Sequence, residues 1–188
     1  MCGIAGYWDR RAGTAGDVLE RMARTAGQAI QHRGPDGDGV WVAPEAGVAL
    51  VHRRLAIVDL TPTGAQPMHS GDGRFVISYN GEVYNFLELR EELVAAGHRF
   101  RGTSDTEVML EGFARWGVEP TVRRLIGMFA FALWDRQERS LWLVRDRLGK
   151  KPLYYYADDA TVLFGSELKA LRTLPGWTPQ IDRAALAE

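Results

Sequence analysis

Several predicted β-strands of this sequence are apolar at every position, and this pattern constrains the fold more than any other. In residues 128–134 no polar residue alternates with the apolar ones. A strand of this kind is buried on both faces. The connections between strands are nevertheless short and polar, which favours antiparallel pairing. Two antiparallel sheets packed face to face, each covered by helices on its outer side, satisfy both observations and indicate an α+β protein.

The remaining periodicities predict where the elements lie. Strands are predicted at about 3–9, 40–42, 48–51, 55–58, 74–79, 128–134, 141–144, 153–156 and 161–164, the last four joined by short turns, and a loop at 61–73. Apolar residues spaced by three and four predict a helix over 17–31. Two further helices are predicted to begin at capping boxes, Asn85 with Glu88 and Ser104 with Glu107.

Cys2 is the only cysteine of the chain. Removal of Met1 before this small residue would make Cys2 the amino terminus and join a thiol to a free α-amine. A thiol needs a base to become a nucleophilic thiolate at neutral pH, and an α-amine with a pKa of about 7.7–8.0 can serve as that base. The apolar, glycine-punctuated run that follows predicts a buried first strand. The alternative is a cysteine without a role on a mobile terminus.

The composition argues against several classes of function. The chain has 188 residues, 46% of them apolar, and a net charge of -1, which is typical of one globular domain and predicts no nucleic-acid or membrane partner. No apolar run reaches the ~18 residues of a membrane span, and no signal peptide is recognisable. One cysteine is typical of a reducing compartment, so a cytoplasmic location is predicted. The scattered histidines predict no metal site.

Asn80 and Gly81 allow two interpretations. Asn-Gly is the strongest short-range signal of a hairpin turn. A side-chain amide and a glycine backbone N–H can also converge as an oxyanion hole. The two residues by themselves favour the turn.

Nine blocks of the sequence together resemble the class II glutaminase domain of glutamine-hydrolysing asparagine synthetases. The blocks follow the family's order and cover nearly the whole chain: CGIAG at 2–6, HRGPD at 32–36, HRRLAIVD at 52–59, GAQPM at 64–68, YNGEVYN at 79–85, SDTE at 104–107, GMFAF at 127–131, RDRLGKKPLYY at 145–155 and FGSELKAL at 164–171. The resemblance implies the N-terminal-nucleophile hydrolase fold, an αββα sandwich. It also implies hydrolysis of the side-chain amide of L-glutamine to glutamate and ammonia, for transfer to an acceptor carboxylate, with aspartate expected.

Catalytic roles follow from this resemblance. Cys2 would be the nucleophile, its own amine the proton shuttle, and Asn80 with Gly81 the oxyanion hole. With the family match, the oxyanion hole replaces the turn as the favoured interpretation of Asn80-Gly81.

Substrate-binding roles follow in the same way. Arg54 would grip the α-carboxylate of glutamine through its planar fork, and Asp105 would take the α-ammonium group. Val58 and Glu82 complete the expected binding set, and residues 33–36 would shape the pocket. The alternatives are a surface arginine at position 54 and an aspartate that only favours the helix dipole.

The resemblance also sets expectations for the rest of the protein. Residues 1–174 would form the glutaminase domain, and residues 175–188 a linker and the start of an ATP-pyrophosphatase synthetase domain, present in cis or in trans. No cofactor is expected in the glutaminase domain, since ATP and Mg would act only in the synthetase domain. A homodimer is compatible with this organisation. The acceptor could also be a carboxylate other than aspartate, and a regulatory module without activity or an amidase with another substrate are the remaining alternatives.

Overall fold

The computed structural model describes residues 1–57 and 61–178 as two β-sheets between two layers of helices. The strands are β1 (Gly3–Asp9), β2 (Gly37–Ala43), β3 (Val48–Arg54), β4 (Met68–His69), β5 (Phe75–Val83), β6 (Gly127–Asp135), β7 (Ser140–Arg145), β8 (Tyr154–Ala157) and β9 (Thr161–Gly165). The α-helices are α1 (Gly16–Ala29), α2 (Phe86–Ala95), α3 (Asp105–Trp116), α4 (Val118–Arg124) and α5 (Leu168–Leu171). The first sheet has the order β2-β3-β1-β9-β8 and the second β4-β5-β6-β7, and the pairings are antiparallel. The predicted sandwich is confirmed.

Three apolar layers explain why the strands are apolar on both faces. Leu50 of β3 and Val76 of β5 lie between the two sheets. The neighbouring Val51 packs under α1 in the outer layer of the first sheet, and Ile77 packs under α3 in the outer layer of the second. Because successive side chains of a strand point to opposite faces, each strand supplies one inner and one outer layer.

The two predicted capping boxes have different outcomes. Ser104 caps α3, since its hydroxyl accepts the N–H of Glu107 at 3.2 Å. Asn85 does not cap α2. Its side chain instead donates to the carbonyl of Arg124 and accepts the N–H of Ile126, both at 3.0 Å. Asn85 therefore joins the start of α2 to the segment that leads from α4 into β6.

The strand predicted at 55–58 was wrong over the described residues 55–57. The backbone N–H groups there bond to side chains and not to a neighbouring strand: Ala56 donates to the carboxylate of Asp36 at 2.9 Å, and Leu55 donates to the sulfur of Cys2 at 3.3 Å. The position of Val58 lies outside the described residues.

Two other predictions need correction. The short helices α4 and α5 and the two-residue strand β4 were not predicted, and β4 lies within the predicted loop 61–73. The link between β7 and β8 is not a hairpin, because these strands belong to different sheets. The carboxylate of Asp146 organises that link by accepting the N–H groups of Leu148, Lys150 and Lys151.

The carboxyl-terminal part of the described chain packs on the first sheet. Leu174 is buried in the layer under α1, and Trp177 packs against the same layer. Residues 179–188 lie outside the described part, so the domain boundary after residue 174 stays a prediction. Among the described helices, none combines the length and apolar composition needed to cross a membrane.

Candidate active site

Cys2 directly precedes β1, the central strand of the first sheet. Along this strand the odd-numbered Ala5 and Tyr7 face α1, and Trp8 packs between the sheets. The same alternation directs the even-numbered Cys2 into the space between the sheets. Its side chain is half-buried, and its sulfur lies 3.3 Å from the N–H of Leu55.

Asn80 lies in the middle of a β-strand and not in a turn. It pairs with Ala130 of β6, and it shares the inner face of β5 with Val76, which packs between the sheets. Asn80 is 1% exposed, and its Nδ2 has no hydrogen-bond partner among the described residues. A buried amide donor without a partner costs free energy, so a ligand oxygen that accepts from it would remove this penalty.

The backbone N–H of Gly81 points away from β6. Phe129, which pairs with Gly81, uses both its N–H and its carbonyl on Asp146 of the next connection. In an antiparallel ladder this makes Gly81 and Phe129 a non-hydrogen-bonded pair. The N–H groups of Tyr79 and Val83, two residues to either side, point the same way and are taken by Gln66 at 2.7 Å and Asp105 at 2.9 Å.

Position 81 also has no room for a side chain. A Cβ atom there would lie 2.7 Å from the Cα atom of Phe129, a backbone atom that cannot rotate away. Close packing of β5 against β6 therefore requires glycine at position 81. The N–H of Gly81 lies at the open edge of β5, beside the cavity.

Alternation along β3 distinguishes the two neighbouring arginines. Arg53 lies on the outer face, where its Nε donates to the carbonyl of Gly27 in α1 at 2.9 Å. Arg54 lies on the inner face, and its Nη2 donates to the carbonyl of Thr61 at 3.0 Å. Only Arg54 of the pair lines the cavity that contains Cys2.

Asp105 is the first residue of α3 and is buried. Its Oδ2 accepts the hydroxyl of Tyr79 at 2.7 Å and the N–H of Val83 at 2.9 Å. Burial raises the pKa of Asp105, although these hydrogen bonds oppose the rise. The carboxylate is thus tied to β5 on both sides of Asn80 and Gly81.

The predicted residues meet at one cavity of ≈ 150 Å³ between the ends of the two sheets. Its described lining includes Cys2, Arg54, Asn80, Gly81, Glu82 and Asp105. Val58 was predicted to bind substrate, but it lies outside the described residues. The cavity has a cation from β3 and carboxylates from β5 and α3, which suits a ligand that carries both an anionic and a cationic group.

Arg33 holds the backbone of the nucleophile. Its Nε donates to the carbonyl of Cys2 at 3.0 Å, and its Nη1 pairs with Glu167 at 3.0 Å. Burial would raise the pKa of Glu167, but hydrogen bonds from Lys169, Arg33 and His32 lower it to about 2. The segment 33–36 was expected only to shape the pocket, and this direct contact with Cys2 was missed.

His52 and Gln66 were also missed as parts of the site. Gln66 accepts the N–H of Tyr79, and the Nε2 of His52 lies 3.0 Å from the carbonyl of the same residue. Both backbone groups of the residue before Asn80 are therefore held by side chains from other elements. Both residues lie in blocks that resemble the family, so the sequence contained a signal for them. The sequence does not show, however, that their hydrogen-bond partner is the backbone of Tyr79.

Burial controls the acid–base properties of Cys2. It raises the pKa of the thiol, while a hydrogen bond from Leu55 and the positive charges of the amino terminus, Lys151 and Arg54 oppose this rise. The resting thiol is therefore protonated at neutral pH, and a base must remove its proton. Within residues 1–57 and 61–178, no three His, Cys, Asp or Glu side chains are grouped as metal ligands.

Comparison with known proteins agrees with this geometry. A family profile described as a glutamine amidotransferase domain matches residues 1–188. Asparagine synthetase [glutamine-hydrolyzing] 3 of Bacillus subtilis is 43% identical over all of this chain and 30% of its own length. Asparagine synthetase [glutamine-hydrolyzing] 1 of the same organism is 38% identical over all of this chain and 29% of its own length. The chain thus spans less than a third of the length of these relatives.

Other similarities extend beyond asparagine synthetases. Amidase chry2 of Gibberella zeae is 35% identical over 90% of this chain and 26% of its own length. The solved structure of glutamine phosphoribosylpyrophosphate amidotransferase from B. subtilis superposes with a TM-score of 0.74 at 20% identity, over 92% of this chain and 43% of that one. That likeness shows the shared fold. The chain belongs to the class II glutamine amidotransferase domain family and resembles the glutaminase domain of asparagine synthetases.

Proposed function

We propose that this chain is the glutaminase part of a glutamine-dependent asparagine synthetase-like amidotransferase. After removal of Met1, Cys2 hydrolyses the side-chain amide of L-glutamine, and the ammonia passes to an acceptor carboxylate, which we propose to be aspartate. The observation that carries the proposal is the inner-face arrangement of Cys2 with two hydrogen-bond donors. The unpartnered amide of Asn80 and the edge N–H of Gly81 border the same cavity as the sulfur.

The chemistry divides into acylation and hydrolysis. The free α-amine of Cys2 takes the thiol proton as the sulfur attacks the amide carbon, and the resulting oxyanion accepts hydrogen bonds from Asn80 and Gly81. The C–N bond then breaks as the protonated amine gives its proton to the leaving nitrogen, so ammonia departs and a thioester remains. Water, deprotonated by the amine, hydrolyses the thioester to glutamate and restores the thiol.

Charges at the other end of the cavity support an amino-acid substrate. Arg54 would form a bidentate pair with the α-carboxylate of glutamine. Asp105 and Glu82 would receive the α-ammonium group. Arg54 comes from the end of β3, and the two carboxylates come from α3 and β5, so the substrate would bridge the two sheets beside the nucleophile.

The acceptor half of the reaction requires a further domain. Relatives named asparagine synthetases are about three times as long as this chain, and we propose that an ATP-pyrophosphatase synthetase domain follows in cis or in trans. ATP and Mg²⁺ would act only in that domain. We further propose a cytoplasmic enzyme whose domain boundary lies near residue 174.

Glutamate release in the absence of ATP tests the glutaminase proposal. Purified chain lacking Met1 is expected to convert glutamine into equal amounts of glutamate and ammonia without ATP or acceptor, because every group required lies in these residues. Cys2→Ala is the matched control and should bind glutamine without turning it over. Strict dependence of glutamate release on ATP would contradict the proposal.

A different amide substrate is the second candidate, favoured by the similarity to a protein named an amidase. A panel of glutamine, asparagine and simple primary amides separates the two. Glutamine should be preferred, since the other amides lack the length or the charges that Arg54 and Asp105 would bind. Equal rates with neutral amides would favour the amidase.

A further inference from the structure

Lys151 is a buried lysine that the glutaminase mechanism above does not use. Its residue is only 7% exposed, and it lines the same cavity as Cys2. Among the residues that the structure describes, no carboxylate lies within ion-pair distance of its ammonium group, and no hydrogen bond of that group is formed. Because Nζ has no partner among the described residues and is not enclosed by protein atoms, the ammonium group is open to the cavity and available to an anion that forms there.

The backbone around Lys151 is fixed from both sides. Its N–H donates to Oδ2 of Asp146 at 3.1 Å, and its carbonyl accepts from Nε of Arg145 at 2.7 Å. Asp146 also bonds to both backbone groups of Phe129, the residue that pairs with Gly81. The same anchor therefore holds the backbone of Lys151 and of β6, the strand beside the one that carries Gly81.

We propose that Lys151 is a charge-stabilising residue of the glutaminase site, whose ammonium group favours the anionic sulfur of Cys2 over the neutral thiol. This inference rests on the proposed function, since it assigns Lys151 a task in that reaction. A nearby cation also favours the neutral form of an amine. The charge of Lys151 therefore promotes both reactive forms of Cys2, the thiolate and the uncharged α-amine.

The other charged groups near Cys2 are already engaged or have the wrong sign. Arg33 contacts the carbonyl of Cys2 and pairs with Glu167. Arg54 donates to Thr61 and is the proposed partner of the substrate carboxylate. Glu82 and Asp105 also line the cavity and supply negative charge, which disfavours a thiolate.

His52 and Tyr79, which are neutral, also line the cavity. Burial lowers the pKa of His52 to about 4 and raises the pKa of Tyr79 well above its ordinary value. Both are therefore uncharged at neutral pH. Of the two cationic side chains in the described lining of the cavity, Arg54 and Lys151, only Lys151 has no anion assigned to it, and its charge opposes the effect of burial on the pKa of Cys2.

The pH dependence of alkylation at Cys2 tests the proposal. Because Cys2 is the only cysteine, the rate of reaction with iodoacetamide reports the thiolate fraction of this one residue. Lys151→Met should raise the thiol pKa by about half a pH unit or more, so that alkylation near pH 7 slows by about threefold. Lys151→Arg keeps the charge and should preserve the wild-type profile. Lys150→Met is the matched control, because Lys150 is adjacent and exposed.

The outcomes separate this proposal from the proposed function. An unchanged thiol pKa in Lys151→Met, or an equal shift in Lys150→Met, would overturn the role of Lys151 whatever the glutaminase activity. Lys151→Gln is a second neutral variant should methionine disturb packing, and circular dichroism verifies the fold of each variant. Absence of glutaminase activity in the wild type would contradict the proposed function and leave the alkylation result interpretable.

Discussion

Adjacent residues at this site make different contacts and therefore have different expected roles. Arg53 and Arg54 differ by one position, yet Arg53 bonds to α1 and Arg54 lines the cavity. The strand period of two explains the difference. From the sequence, Arg54 was predicted to bind substrate only because of the family resemblance. The structure gives the physical reason: Arg54 lies on the inner face of β3 and Arg53 does not. The partners of Gln66, His52 and Lys151 depend on contacts between distant segments, which local patterns do not encode.

The state of the amino terminus is expected to control activity. With Met1 retained, the nitrogen of Cys2 is part of an amide and cannot accept the thiol proton. Chain that keeps Met1, or carries an acetylated Cys2, should fold but release no glutamate. Mass spectrometry of the preparation beside a glutamate assay checks this, and an active preparation with Met1 intact would contradict it.

Replacement of Asn80 should separate catalysis from binding. Asn80→Ala removes a donor to the oxyanion and should cost about 2.7–4 kcal/mol of transition-state stabilisation, mainly through kcat. Arg54→Ala, in contrast, removes a proposed contact of the substrate carboxylate and should act mainly through KM. Steady-state kinetics with glutamine measure both. A kcat for Asn80→Ala within about threefold of wild type would assign Asn80 a purely structural role.

At the scale of elements, hydrogen bonds between strands and helices position the site. The hydroxyl of Ser104 caps α3 at the residue before Asp105. This cap was predicted from sequence because an N-cap is a local signal. Asn85 has a similar local signal, but a tertiary contact with the end of α4 takes its side chain. Local sequence patterns therefore predicted the helices α2 and α3. They could not predict that Ser104 caps its helix and Asn85 does not.

Loss of the Ser104 cap should affect both stability and binding. Ser104→Ala is expected to lower the free energy of unfolding by about 1 kcal/mol, since the N–H of Glu107 loses its acceptor. Fraying of the first turn would also displace Asp105 and raise KM for glutamine. Urea unfolding and kinetics measure the two effects, with Ser104→Thr as the control that keeps the hydroxyl. Wild-type stability in Ser104→Ala would show that the cap contributes nothing.

The burial of His52 gives the stability of the sandwich a pH dependence. Burial lowers the pKa of His52 from 6.5 to about 4. Between these values the unfolded chain binds a proton that the folded chain does not, so stability is lost as the pH falls from 6.5 toward 4. The difference corresponds to about 3 kcal/mol. His52→Gln removes this titration, and its unfolding free energy should fall less over that range. Parallel pH profiles in urea unfolding would contradict the assignment.

At the scale of the whole molecule, the sequence predicted the sandwich because burial on both strand faces is a property of composition along each strand. It could not predict that β7 and β8 belong to different sheets, since the crossover depends on Asp146 binding backbone groups of the link and of Phe129. Leu148 of that crossover is 81% exposed, and Tyr155 of the following strand β8 is 68% exposed. Exposed apolar side chains can contribute to an interaction surface, and we propose that the synthetase domain covers these two.

Coupling between the two halves of the proposed enzyme is expected to depend on docking at the crossover. If a synthetase domain covers the crossover, ammonia formed at Cys2 can reach the acceptor without release to solvent. The chain alone should then yield no amidated product, and addition of the synthetase domain with ATP and aspartate should raise the ratio of asparagine formed to glutamine consumed from zero toward one.

Leu148→Asp should lower this ratio without reducing glutamate release by the isolated chain, because Leu148 lies outside the catalytic cavity. An unchanged ratio in Leu148→Asp would exclude this surface as the contact, and product from free ammonium salts at the same rate as from glutamine would show that transfer does not depend on docking.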